Sequence, residues 1–140
     1  MTKNFKKQEF LCKGDICGRC QMPDEIYYNI IKTANQLQTL RNKIGLPIRV
    51  TSGYRCEEWN EKVGGVSNSR HKIGKAADIQ VDGVSPLQIY KTINELIDNG
   101  DMLQGGVGVY DTFVHYDYRG TRTRWNKISK PKKKKSKAKK

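Results

Sequence analysis

The chain has 140 residues, which fits one domain with a genuine core. Its formal net charge of +13 points to polyanionic partners, nucleic acid or an anionic envelope polymer, but 8 of its 27 Lys and Arg residues crowd into 130–140, "KPKKKKSKAKK". That segment has nothing apolar enough to offset its ordering entropy, so a disordered lysine-rich tail is expected over 129–140, after a domain over 1–128 with a cysteine-containing arm at 1–22. No stretch approaches the roughly 18 apolar residues of a membrane-spanning helix. The N-terminal "MTKNFKKQEF" has the charges of an export signal without its apolar region, so synthesis in the cytoplasm without a signal peptide is expected.

The first strong pattern is a helix over Met22 to Ile44, where Ile26, Ile30, Thr33, Leu37, Leu40 and Ile44 recur at spacings of three and four. Pro23, Asp24 and Glu25 suit its first turn and Gly45 its end. "LPIRVTSGY" reads as a strand running into a turn, Glu57 to Val63 as a short helix, and "GGVSNS" as a loop. "AADIQV" alternates as a strand, with Ala77, Ile79 and Val81 on the core side and Asp78 and Gln80 on the other. Ser85-Pro86 opens another helix, carrying Leu87, Ile89, Tyr90, Ile93, Leu96 and Ile97 and ending at Asn99-Gly100. "GGVGVY" and "FVHYDY", joined at Asp111-Thr112, form a β-hairpin. This order of elements predicts an α+β fold with a mainly antiparallel sheet flanked by helices.

The chain has only two histidines. His71 lies in a small-residue loop before Asp78, and His115 lies in the last hairpin strand, sharing a face with Phe113, Asp117 and Arg119. If the strand carrying Asp78 lies beside that strand, two imidazoles and one carboxylate meet on one sheet face. Such a set holds a catalytic zinc and leaves a fourth position for water. The bland alternative is a pair of structural histidines.

"SRHKIGKAAD" has the form S-x-H-x-x-G-x-A-x-D, and "SGYRCEEWN", "GGVGVY", "FVHYDYRG" and Arg124-Trp125 surround it in order. These pieces, from about Phe10 to Trp125, resemble the zinc D-alanyl-D-alanine carboxypeptidases and related peptidoglycan peptidases, in their small phage and bacterial branch. The resemblance implies a hedgehog/DD-peptidase-like fold with one catalytic zinc on the sheet face, held by His71, Asp78 and His115. It implies a monomeric hydrolase of peptidoglycan stem peptides, D-Ala-D-Ala carboxypeptidase-like or an endolysin-type endopeptidase, acting at the bacterial cell wall after release or from a virion. Arg55 corresponds to the residue that binds substrate and stabilises the oxyanion, a role a forked, permanently charged guanidinium suits. Ser69 either contacts substrate or holds the loop by bonding to backbone. Asp117, two residues after His115, is the general base or orients that histidine; Asp111, four residues before it, is the rival base.

Cys12, Cys17, Cys20 and Cys56 permit two disulfides in three possible connectivities, free thiols, or a second, structural zinc, and the resemblance implies a tie between the arm and Cys56. Trp59 and Trp125 read as packing residues rather than sugar-stacking platforms, and Tyr110, Tyr116 and Tyr118 as sheet-lining residues able to border a cleft. The competing functional reading is a non-catalytic zinc-containing binding module, virion- or nucleic-acid-associated through its basic tail. The hedgehog signalling domain shows that such a fold need not hydrolyse anything.

Overall fold

The computed structural model describes residues 2–11, 23–65 and 69–129. The lysine-rich segment from residue 130 and Cys12, Cys17 and Cys20 lie outside them, so the expectations placed on the tail and on a cysteine-bound second zinc do too. Cys56 is half-buried against the core.

The apolar stripe after Met22 forms α1 (Asp24–Ile44), burying Ile30, Thr33, Ala34, Leu37 and Leu40. The helix begins at Asp24 rather than at Met22, because Pro23, with ψ 151°, is its extended N-cap. Asp24 and Glu25 then sit where a helix N-terminus favours negative charge. Gly45 closes it in the left-handed region at φ 78°, its N–H donating to the Arg41 carbonyl. After β1 (Arg49–Ser52) comes the short α2 (Glu57–Lys62), then β2 (Ala76–Gln80). Helix α3 (Pro86–Asp98) starts where the Ser85 hydroxyl accepts from the Gln88 N–H, with Pro86 in its first turn. It buries Ile89, Thr92, Ile93, Leu96 and Ile97, whereas Leu87 faces solvent.

Strands β3 (Gly106–Tyr110) and β4 (Val114–Asp117) form the expected hairpin, closed by the Tyr110 N–H on the Phe113 carbonyl. A fifth strand, β5 (Thr123–Lys127), has no counterpart in the sequence reading and pairs parallel to β3. The sheet runs β1-β2-β4-β3-β5, with three antiparallel pairings and one parallel, so it is mostly antiparallel but mixed. Local pattern could not reveal β5: "TRWNK" has one apolar residue and is half-exposed to exposed along its length. The β3 edge recruits it through backbone bonding, and Arg124 pins it with bonds to Asn94, the Gly105 carbonyl and Gln104.

Ala77, Ile79, Val107, Val109, Val114 and Tyr116 meet Ile30, Leu37, Ile89 and Ile93 of the helices in one core. Each fully buried Ile, Leu or Val side chain contributes about 1.5–3 kcal/mol. Phe5 and Phe10 are buried too, and the Phe10 carbonyl accepts from the Tyr54 N–H, so residues 2–11 pack as part of the domain. No described helix is long and apolar enough to cross a membrane.

Candidate metal centre and its cleft

The sheet register assembles most of the site. Asp78 on β2 lies directly opposite His115 on β4, His115 opposite Gly108 on β3, and Gly108 opposite Trp125 on β5. Four positions thus form one row across four strands, on the face opposite the alternating core residues. His71 reaches this row from a 3-10 turn, Arg70–Ile73, in which the Ser69 hydroxyl accepts from the His71 N–H at 3.2 Å. Gly74 ends the turn at φ 78°, and a side chain there would sit 2.9 Å from the Ile26 carbonyl oxygen. Glycine therefore lets the loop lie flat on α1 and bring both its ends to one point.

Both histidine tautomers are set by what surrounds them. His71 Nδ1 is 2.7 Å from the Gly53 carbonyl oxygen, which can only accept, so Nδ1 carries the proton and Nε2 presents a lone pair. His115 Nε2 is 2.7 Å from Asp117 Oδ2 and donates to it, leaving the Nδ1 lone pair. Those two lone pairs meet the same oxygen: Asp78 Oδ1 is 3.2 Å from His71 Nε2 and 3.1 Å from His115 Nδ1. Three acceptors facing one another need a cation between them. Zinc–ligand bonds of about 2.0–2.1 Å in a tetrahedron put neighbouring ligand atoms about 3.3–3.4 Å apart, close to this spacing. The donor set fits zinc. Among the described residues, His71, Asp78 and His115 are the one group of this kind.

The charges respond accordingly. With no cation between them a proton takes its place: burial opposes ionisation of Asp78, but the hydrogen bonds it then shares with His115 and His71 hold its carboxyl well below the usual carboxylate range. Burial alone would lower the His115 pKa; without a cation, the hydrogen bonds its protonated ring makes to Asp117 and Asp78 outweigh burial and raise it.

Asp117 is fully buried. Its Oδ1 accepts from the Gly106 N–H at 2.9 Å and from Arg119 N and Nε, and its Oδ2 from His115 and from Arg119 Nη2 at 2.8 Å. These bonds, Arg119's foremost, overcome burial and keep its carboxyl far below the ordinary value. The same cluster accounts for the glycines of "GGVG". A Cβ on Gly106 would lie 2.6 Å from Asp117 Oδ2, and one on Gly108 only 2.1 Å from Trp125 Nε1. The strand is stripped of side chains where the carboxylate and the indole press on it.

A cleft of about 610 Å³ opens over the cluster, and its lining includes Arg55, Ser69, His71, Asp78 and His115. Arg55 Nη2 lies 3.5 Å from Asp78 Oδ2, its Nε on Ser52 and its Nη1 on Asn60. Asp111 is not brought in: it sits exposed in the hairpin turn, accepting at both oxygens from Ser129, whose bonds lower its pKa. The sequence reading gave no role to Arg119 or Lys127, which line the cleft, and it favoured packing over a stacking platform for Trp125. The Trp125 ring lies 5.2 Å from that of His115, its Nε1–H donates to the Tyr110 hydroxyl, and Tyr110 stacks on Phe113 at 4.3 Å. Tyr116 and Tyr118 instead bury their rings and donate to the Leu103 and Asn29 carbonyls. The alternation of "HYDYR" already put Arg119 on the His115 face; for Trp125 and Lys127 no signal existed without β5.

The sequence profile of the Peptidase M15 family matches residues 3–117, which include His71, Asp78, His115 and Asp117. The chain belongs to the peptidase M15 family. One relative within reach of this M15 chain is the zinc D-Ala-D-Ala carboxypeptidase of Streptomyces albus G, 46% identical over 69 residues. That match covers 49% of this chain and 27% of the relative, so the chain corresponds to about a quarter of that protein's length. The M15 membership accords with an α+β fold and with a cleft built around histidine and carboxylate donors.

Proposed function

We propose that the chain is a zinc-dependent peptidase that hydrolyses peptide bonds of bacterial peptidoglycan, as a D-Ala-D-Ala carboxypeptidase or an endolysin-type endopeptidase. The observation that carries this reading is the convergence of His71 Nε2, Asp78 Oδ1 and His115 Nδ1 at the floor of a cleft in an M15 chain. These three residues would hold the ion. Zinc, when bound, supplies a Lewis acid that polarises a peptide carbonyl.

The chain's own groups do the rest. The Gly53 carbonyl and Asp117 fix the two imidazoles in the tautomers that aim lone pairs at one point. Arg55, mostly buried yet lining the cleft, donates to the carbonyl oxygen as it gains charge. Ser69 holds the His71 turn. Asp117 acts as an orienting group: a fully buried carboxylate saturated by hydrogen bonds has no reach into the cleft. The chain works at the cell wall, after release or from a virion, and the lysine-rich 130–140 segment concentrates it on anionic envelope polymers.

One observation favours a second reading, a zinc-containing binding module. Among the described residues lining the cleft, Asp78 is the only carboxylate, so no second acid stands ready there to accept a proton. Loss of turbidity by purified cell walls separates the two. The zinc-loaded chain clears the walls, a chelator stops it, zinc restores it, and His71→Ala abolishes it. Undiminished clearing by His71→Ala would overturn the assignment. Weaker retention on walls in low salt after removal of 130–140 would support the role of the tail; equal retention would refute it.

A further inference from the structure

Four cationic side chains line the cleft, Arg55, Arg70, Arg119 and Lys127, against the single carboxylate of Asp78. Two of these have assigned work: Arg55 pairs with Asp78, and Arg119 clamps Asp117 through two nitrogens. Lys127 has neither task. It is exposed, no acidic side chain among the described residues pairs with it, and it stands at the end of β5 opposite Tyr110. A bound divalent cation would make the cleft more positive still, so an occupant must bring negative charge beyond the one carboxylate already present.

The register fixes where. Lys127 is two residues beyond Trp125 on the same face of β5, and β5 is two strands from β4. Strand spacings of about 4.8 Å and a rise of about 3.3 Å per residue put the Lys127 and His115 Cα atoms about 12 Å apart. That is about three residues of extended peptide. The surface between them is aromatic: Trp125 against His115, then Tyr110 bonded to Trp125 and stacked on Phe113. A hydrogen-bonded aromatic strip with an ammonium at its far end suits an extended peptide that carries a carboxylate at its far end.

We infer that Lys127, with the Trp125–Tyr110–Phe113 strip, forms an acidic-residue subsite that selects peptides bearing a free carboxylate about three residues from the reacting bond. The inference rests on the reading of the cleft as a peptide site and adds the charge its substrate must carry. A flexible, strongly hydrated ammonium at an open edge acts as a point charge, so it sorts free carboxylates from carboxamides without demanding one geometry.

The test uses two synthetic pentapeptides, L-Ala–γ-D-Glu–L-Lys–D-Ala–D-Ala and its counterpart with the glutamate α-carboxylate converted to the carboxamide. Calorimetric binding to the metal-free full chain reads affinity apart from hydrolysis, and cleavage of both peptides is assayed separately with the zinc-loaded chain. The carboxylate peptide is expected to bind about two- to fivefold tighter at low salt, the range for a charged contact at an exposed site. Lys127→Met brings that ratio close to one, while Lys43→Met, an equal loss of charge on the exposed side of α1, preserves it. Equal affinity of the unmodified chain for the two peptides, or an undiminished ratio in Lys127→Met, would overturn the subsite. A chain that shows the ratio yet hydrolyses neither peptide retains the subsite and loses the peptidase reading, so the two failures are distinct.

Discussion

Replacing Asp117 with asparagine tests how the cleft holds a metal. The carboxylate is fully buried and accepts from His115, from Arg119 and from the Gly106 N–H. In Asp117→Asn one oxygen can still serve Gly106 and Arg119 Nε, but the amide NH₂ then faces two donors, His115 Nε2–H and Arg119 Nη2. His115 relieves the clash by moving its proton to Nδ1, which removes the lone pair aimed at Asp78 Oδ1. Losing an orienting partner of this kind lowers metal affinity about 10- to 100-fold, or about 1.4–2.8 kcal/mol. The Arg119 charge also loses its buried partner; such breakage costs about 3–5 kcal/mol of stability when both groups are buried, and less here because the Arg119 side chain is 21% exposed. Zinc affinity, read by competition with a chromophoric chelator, and urea unfolding of the metal-free protein report the two effects separately. Zinc affinity within twofold of the unmodified chain would refute the tautomer argument, whatever the urea curve shows.

Gly108→Ala places a methyl 2.1 Å from Trp125 Nε1, so the indole must move off β3, at a cost of about 1–3 kcal/mol; an unchanged urea midpoint would show that the strand face tolerates bulk. The Asp111 carboxyl, held down by Ser129, titrates below the ordinary value of about 3.9. Its contribution to stability is therefore present above that value and lost as pH falls through the depressed one. An NMR titration should show its pKa rising in Ser129→Ala, where the hydroxyl bond is gone and the backbone bond remains; an unmoved pKa would refute the tie. Asp111→Asn should leave hydrolysis of a small peptide unchanged, since that carboxylate does not line the cleft.

Both long helices and the β3–β4 hairpin are each written in short stretches of chain. The i, i+3, i+4 stripe of α1, Ser85-Pro86 opening α3, and the alternation that puts His115 and Asp117 on one face need only neighbours to be read. Even the pairing of Asp78 with His115 followed once their strands were placed side by side.

What those patterns left open was decided by contacts between distant parts of the chain. Strand β5 carries no apolar alternation and exists because the β3 edge offers it backbone partners. With it come Trp125 beside His115 and Lys127 at the far rim of the cleft. Asp117 and Asp111 were rivals on spacing; packing under Gly106 and Arg119 seals the first away from solvent, and a turn holds the second outside the cleft. Residue type and period fix which groups can do chemistry and which way they point along one strand. Whether a carboxylate meets water or an arginine depends on what the fold lays over it, and no local stretch encodes that.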